Sequence, residues 1–156
     1  MLEFVPGDDL LSLVQGRGPL PWAEAVEIAR QAAEGLAHVH ERGLVHRDVK
    51  PSNVMVIPGP PPLVKLLDLG VARPVAGASD AGLTEVGVFL GTPDYVAPEQ
   101  AEDARKADAR ADLYGLGATL YFLLTGTPPF PGQSPMEIVR RAATDPRPSL
   151  HARRPD

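Results

Sequence analysis

Between Asp112 and Thr125 almost nothing polar lies on any side of the helix the sequence would form: Leu113, Tyr114, Leu116, Ala118, Leu120 and then Tyr121-Phe122-Leu123-Leu124. A helix apolar around its whole circumference is stable only inside a core. Gly115 and Gly117 each lower its intrinsic propensity by about 1 kcal/mol, so packing from other elements must hold it. Gly126 and Pro128-Pro129 stop it.

The surrounding elements read as mostly helical. Met1 to Val5 forms a short extended piece and Pro6-Gly7 turns it. Asp8 and Asp9 stand where a short helix, Leu10 to Val14, begins, and acids suit that end of the helix dipole. Gly16-Arg17-Gly18-Pro19 ends it. Pro21 to Arg42 is the first long helix, with Pro21 in its first turn. Val26, Ala29, Ala33, Leu36 and His40 recur along it at three- and four-residue steps as one apolar stripe. Val54 to Ile57 and Leu63 to Leu67 read as two strands, joined as a hairpin across Pro58-Gly59-Pro60-Pro61-Pro62. Residues 70 to 98 carry no period, and loops of that length in a compact domain are usually functional. Pro135 to Ala143 is a final amphipathic helix, and Thr144 to Asp156 has no period. The expected fold is mainly α with one small β-hairpin.

Composition removes several functions. The 156 residues include no cysteine, which excludes disulfides, thiolate nucleophiles and zinc–thiolate sites. The net charge is -5 and no basic patch dominates, so nucleic acid is not the expected partner. His38 and His40 are two residues apart and point to different sides of a helix, so they form no metal face. No apolar run is long enough to span a membrane, and the acidic start is not a signal peptide. A cytoplasmic location is the expectation, although an anchor beyond this segment is compatible with it. The 15 glycines and 18 prolines make up roughly a fifth of the chain, against about an eighth in average proteins, and predict many loops.

Four blocks concentrate the chemistry. His46-Arg47-Asp48-Val49-Lys50-Pro51-Ser52-Asn53 places an acid, a cation and an amide within eight residues. Asp68-Leu69-Gly70 follows a strand, Gly91-Thr92-Pro93-Asp94-Tyr95-Val96-Ala97-Pro98-Glu99 comes next, and Asp112-Leu113-Tyr114-Gly115-Leu116-Gly117 opens the buried helix. In this order and spacing they resemble the eukaryotic-like Ser/Thr protein kinases of bacteria, whose signatures include H-R-D-L-x-x-x-N, D-F-G and A-P-E. Lys50, two residues after the acid, resembles the Ser/Thr rather than the Tyr class, and Gln100 resembles bacterial members.

Phosphoryl transfer needs a proton acceptor for the attacking hydroxyl and cations for charge spreading over phosphate oxygens. The resemblance assigns the first role to Asp48 and places Lys50 against the γ-phosphate. Asn53 and Asp68 are hard oxygen ligands of the kind Mg²⁺ takes. Read alone, Asp48 and Asp68 are first of all turn or cap residues; the other blocks shift the reading to the kinase roles. Thr92 resembles a substrate-docking threonine that bonds Asp48 and Lys50. Leu69 replaces the usual Phe and would pack on His46, giving His46, Leu69 and Gly70 structural roles. Arg47 resembles the arginine paired by a phosphate on the activation loop, with Thr84 as the site and Ser79 as a further candidate; a solvated loop threonine is the plain alternative. Asp112 would cap its helix, bond the backbone of the His46-Arg47-Asp48 segment, or both. Glu99 would pair with an arginine.

The resemblance also sets the organisation: a hinge over residues 1–9, a catalytic loop over 44–53 and an activation segment over 68–99. Glu3 and Val5 would offer backbone groups to adenine, and Asp9 would reach the ribose; a strand followed by a helix with acids at its start explains these residues equally well. A kinase of this kind holds ATP between two lobes. No Gly-rich loop or strand lysine precedes His46, the lysines being Lys50, Lys65 and Lys106. The chain is therefore expected to be the larger lobe alone, cut at both ends and partnered in cis by a small lobe. ATP and Mg²⁺ are the expected cofactors and Ser/Thr-containing proteins the substrates. The isolated chain is expected to have very low activity or none. The alternative is a non-catalytic kinase-like scaffold.

Overall fold

The structure is a computed structural model, and it describes residues 6–68, 73–74 and 92–154. Five short strands and six α-helices make up the described part. In chain order these are β1 (Asp8–Asp9), α1 (Leu10–Arg17), α2 (Trp22–His40), β2 (Leu44–Val45), β3 (Val54–Ile57), β4 (Leu63–Leu66), β5 (Arg73–Pro74), α3 (Pro98–Glu102), α4 (Ala109–Thr125), α5 (Pro135–Thr144) and α6 (Leu150–Arg153). The mainly helical fold with a small hairpin is as expected from the sequence.

The apolar helix is α4, and it starts earlier than the sequence suggested. Asp108, not Asp112, is its N-cap, accepting from the Arg110 N–H. Gly126 closes it at φ 73, where a side chain would be strained. Phe122, Leu123 and Leu124 pack with Leu10 and Val14 of α1, Ala25, Ile28 and Ala32 of α2, and Val54 of β3. The expectation of burial on every side fails at one place. Leu113 is 57% exposed and, with Tyr114, Tyr121, Pro129 and Phe130, lines an open groove of about 260 Å³.

The buried face of α2 is Ala25, Ile28, Ala32, Leu36 and Val39, one position back from the expected stripe except at Leu36. Apolar residues cover much of this helix, so two stripes one residue apart compete. The bulkier Ile28 and Val39 occupy the core and leave Val26 exposed.

The hairpin forms as expected, with Val54 opposite Leu66 and Ile57 opposite Leu63. It is clamped to α2 by Gln31, whose amide donates to the Pro62 carbonyl and accepts from the Val64 N–H. A third strand, missed in the sequence, joins its other edge: Asp8 pairs with Val56 and Asp9 with Met55. Gly7 makes this possible, because a Cβ there would lie 2.2 Å from the Val56 carbonyl oxygen. A second two-stranded sheet pairs Leu44 with Pro74 and Val45 with Arg73. The tail also gains order, as the short α6. No helix among the described residues is long and apolar enough to cross a membrane.

Candidate active site

The 46–53 segment is held from beneath by one buried carboxylate. Asp112 lies in the first turn of α4 with its side chain fully buried. Its Oδ2 accepts from the His46 N–H at 2.9 Å and from His40 Nε2 at 2.7 Å, and its Oδ1 accepts from the Arg47 N–H at 2.7 Å. A buried carboxylate tolerates desolvation only when its lone pairs are used, and here three donors use them. His40 at the end of α2 therefore joins the site. Sequence reasoning placed it only on a helix stripe; its partner is 72 residues away.

His46 is completely buried. Its Nε2 faces the Leu67 carbonyl at 2.9 Å, and a carbonyl can only accept, so Nε2 carries the proton. Nδ1 then accepts the long contact from the Asp48 N–H at 3.4 Å. Leu67 N–H also donates to the Asn53 carbonyl at 2.8 Å. These bonds stitch the strand end before Asp68 to the 46–53 segment.

Asp48 sits at the centre. Lys50 Nζ lies 2.8 Å from its Oδ2, and Asn53 Nδ2 donates to the same oxygen at 2.8 Å and to the Asp48 carbonyl at 2.9 Å. Its Oδ1 has no hydrogen-bond partner among the described residues. The carboxylate is thus oriented through one oxygen with the other left open, and about a quarter of the side chain is exposed (27%). Asn53 is buried, and its donor is spent on Asp48, which leaves its side-chain oxygen for another partner. Pro51–Asn53 forms a single 3₁₀ turn that brings Asn53 back beneath Asp48.

Two residues here have left-handed backbone without being glycine: Arg47 at φ 66 and Asp68 at φ 61. Such strain persists only where surrounding bonds over-determine it. Arg47 donates from Nη2 to the Ala107 carbonyl at 3.3 Å, while its Nε is buried with no partner among the described residues. Asp68 is exposed and makes no hydrogen bond or ion pair to another described residue.

The donor chemistry fits a magnesium site. Among the described residues no group of three or more His, Cys, Asp or Glu gathers as a metal cluster. Mg²⁺ does not require one, because it is commonly held by one or two protein oxygens with phosphates and water completing the shell. The side-chain oxygens of Asn53 and Asp68 are of that kind.

The structure places the other predicted residues less uniformly. Thr92 is exposed, and its hydroxyl makes no hydrogen bond to Asp48 or Lys50, contrary to expectation; the 3₁₀ turn Pro93–Tyr95 carries its segment onto α4 instead, where Tyr95 meets Phe122 edge-to-face at 6.4 Å. Burial raises the Asp94 carboxyl, and burial followed by the Asp94 charge raises the Tyr95 phenol well above the ordinary tyrosine range. Asp9 caps α1, its two oxygens accepting from the Ser12 N–H and hydroxyl at 2.9 and 2.7 Å. Asp112 bonds the backbone of His46 and Arg47 but does not cap its helix. The Glu99 carbonyl accepts from the Asp103 N–H at 3.1 Å, while its carboxylate forms no hydrogen bond or ion pair among the described residues and acts on Arg110 only through its charge. The nearby Arg147 guanidinium lies over the Tyr114 and Phe130 rings, at 6.0 and 5.6 Å from their centroids. Glu3, Val5, Leu69, Gly70, Ser79 and Thr84 lie outside the described residues.

The site thus joins a carboxylate oriented by a lysine and an asparagine to a buried aspartate that holds its backbone, on a helical body with a small hairpin. Residues 1–152 match the family model described as the protein kinase domain, and the chain belongs to that family. It is 40% identical over 139 residues to Serine/threonine-protein kinase PknB of Mycobacterium leprae, covering 89% of this chain and 22% of that protein. It is 40% identical over 145 residues to Serine/threonine-protein kinase pkn2 of Myxococcus xanthus (92% of this chain, 17% of that protein). With Serine/threonine-protein kinase AfsK of Streptomyces coelicolor the identity is 44% over 137 residues (87% and 16%). The chain thus spans about a fifth of these relatives' length. Among solved structures it resembles the Rad53 kinase domain with SCD2 in complex with AMPPNP, at a TM-score of 0.70 and 28% identity over 90% of this chain and 48% of that one.

Proposed function

We propose that this chain provides the catalytic and substrate-docking half of an ATP-dependent Ser/Thr protein kinase. The observation that carries the reading is the state of Asp48: one oxygen fixed by Lys50 and Asn53, the other without a hydrogen-bond partner among the described residues, on a backbone held by the buried Asp112. Asp48 Oδ1 takes the proton of a substrate Ser or Thr hydroxyl as that oxygen attacks phosphorus. General-base assistance of this kind contributes roughly 10²–10⁴-fold. Lys50 keeps the carboxylate oriented, and its charge is available to the transferred phosphoryl group. Asn53 and Asp68 would hold Mg²⁺, which neutralises charge on the phosphate oxygens. A nucleotide is the expected partner of this family, and the similar Rad53 structure holds AMPPNP.

Other assignments belong to the same reading. Residues 1–9 form the hinge, 44–53 the catalytic loop and 68–99 the activation segment. Glu3 and Val5 contact adenine through their backbone. Asp9 reaches the ribose with the acceptor sites that its cap on α1 leaves free. The half-satisfied Arg47 guanidinium receives a phosphate on Thr84. Thr92 approaches Asp48 and Lys50 once substrate docks. Glu99 holds the end of the activation segment through a cation supplied by further chain, and a small lobe in cis supplies the Gly-rich lid and the strand lysine.

The test is transfer of labelled phosphate from ATP to a general Ser/Thr protein substrate with Mg²⁺. The chain is assayed alone and joined to the small lobe of a relative such as PknB. The joined protein should transfer phosphate, and Asp48→Asn should reduce transfer by at least about 100-fold. Transfer insensitive to Asp48→Asn, or none from a folded joined protein that binds nucleotide, favours the scaffold reading.

A further inference from the structure

Arg47 is the strained residue directly before Asp48, and its two flanking peptide groups are gripped by different elements. On the N-terminal side, its N–H is fixed by Asp112 of α4 at 2.7 Å. On the C-terminal side, its carbonyl oxygen accepts from Gln100 Nε2 of α3, also at 2.7 Å. A backbone carbonyl can only accept, so the Gln100 amide must present its nitrogen here and its orientation is settled by its partner. That carbonyl shares a peptide plane with the Asp48 N–H. Whatever holds the Arg47 oxygen therefore holds the plane from which the Asp48 side chain departs.

The platform under Gln100 is firm. Its own N–H bonds the Ala97 carbonyl at 3.0 Å. Ala97 is completely buried and packs with Ala107 and Ala111 at the foot of α4. The second grip on Asp48 is weak by comparison, since its own N–H reaches His46 Nδ1 only at 3.4 Å. The left-handed backbone at Arg47 is strained and is held by its surroundings; Asp112 holds its N-terminal side and Gln100 its C-terminal side.

We propose that Gln100 is a positioning residue: by donating to the Arg47 carbonyl, it locks the Arg47–Asp48 peptide plane and sets the direction of the Asp48 carboxylate. The catalytic loop is thereby tied to α3, the helix that follows the Thr92–Ala97 segment, so a displacement of that segment is felt at Asp48. The consequence for catalysis rests on the function proposed above; the clamp itself does not.

Two variants separate the clamp from plain packing. Gln100→Met keeps the length and removes the donor, and Gln100→Lys keeps a donor at similar reach. Hydrogen–deuterium exchange on this chain, with fragments resolving the Asp48 amide, reads the clamp without any need for activity. Gln100→Met should speed Asp48 exchange about tenfold while leaving the amides of α2 and α4 and the melting midpoint unchanged. Gln100→Lys should return Asp48 exchange to within about threefold of the parent. In the joined protein, Gln100→Met should lower kcat about tenfold with KM for ATP unchanged, and Gln100→Lys should recover most of it. Asp48 exchange unchanged in Gln100→Met, or equally fast in both variants, overturns the proposal. If the exchange pattern holds while the parent joined protein transfers no phosphate, the clamp stands and the kinase reading falls. Should Gln100→Met fail to fold, Gln100→Ala in the joined protein gives the same comparison.

Discussion

Asp112 has no exposed side-chain surface, and each of its oxygens is committed to buried or half-buried donors. Asp112→Asn keeps the shape but turns one oxygen into an NH₂ group. That group must face either the Arg47 N–H or the His46 N–H and His40, donor against donor. The expected cost is about 2–3 kcal/mol of stability, read as a shift of the urea midpoint at unchanged slope. An unchanged midpoint would mean that the three bonds are not formed together in solution. At this scale the sequence was informative where the chemistry is local. Asp48, Lys50 and Asn53 fall within one loop and one 3₁₀ turn, so their spacing nearly dictates their meeting. His40 and Gln100 were not legible as site residues. His40 reaches Asp112 and Gln100 the Arg47 carbonyl, each from another helix, and a helix wheel shows which way a side chain points but not what stands opposite. Thr92 is exposed, without a hydrogen bond to Asp48 or Lys50, and the contact that its motif implies stays part of the proposed function.

Among the elements, α4 shares the main core with α1, α2 and β3, and its two glycines have opposite roles. A Cβ on Gly115 would lie 2.7 Å from the Val49 carbonyl oxygen and 3.3 Å from the Tyr95 carbonyl oxygen. The missing side chain lets α4 touch the catalytic loop and the Pro93–Tyr95 turn at one point. A Cβ on Gly117 would meet nothing within 4 Å. Alanine gains about 1 kcal/mol of helix propensity at either site. Gly117→Ala should therefore stabilise the chain by about that amount. Gly115→Ala should destabilise it by about 1–3 kcal/mol through overpacking against backbone. Chemical denaturation of the two single variants checks both signs, and equal effects would refute the close approach at Gly115. The existence of α4 was plain in the sequence because no other solution buries so many apolar residues. Its start was not, because Asp112 looks like a cap until Asp108 is seen to occupy that position. The stripe of α2 slipped by one residue for a similar reason: the sequence offers two stripes, and only the partner helix chooses between them.

For the molecule as a whole, buried phenols predict how stability responds to alkali. Tyr95 and Tyr114 are both raised, chiefly by burial, with the Asp94 charge adding to the first. Their stabilising contribution is complete below the unfolded tyrosine value of 10.0 and is lost as pH rises toward the higher folded values. In that window the unfolded chain releases phenolic protons that the folded chain retains, so stability falls with pH. Tyr95→Phe should flatten the fall above pH 10, and adding Tyr114→Phe should flatten it further. A decline of unchanged steepness in the double variant would contradict the burial of these rings.

Under the proposed function, these helices hold Asp48 ready to accept a hydroxyl proton in phosphoryl transfer. The most direct measurement is the rate of labelled phosphate transfer from ATP to protein Ser or Thr by the chain joined to a relative's small lobe, compared between the parent and Asp48→Asn. The parent should transfer phosphate, and the variant should lose at least about 100-fold. Equal rates in the two proteins would contradict the proposed function.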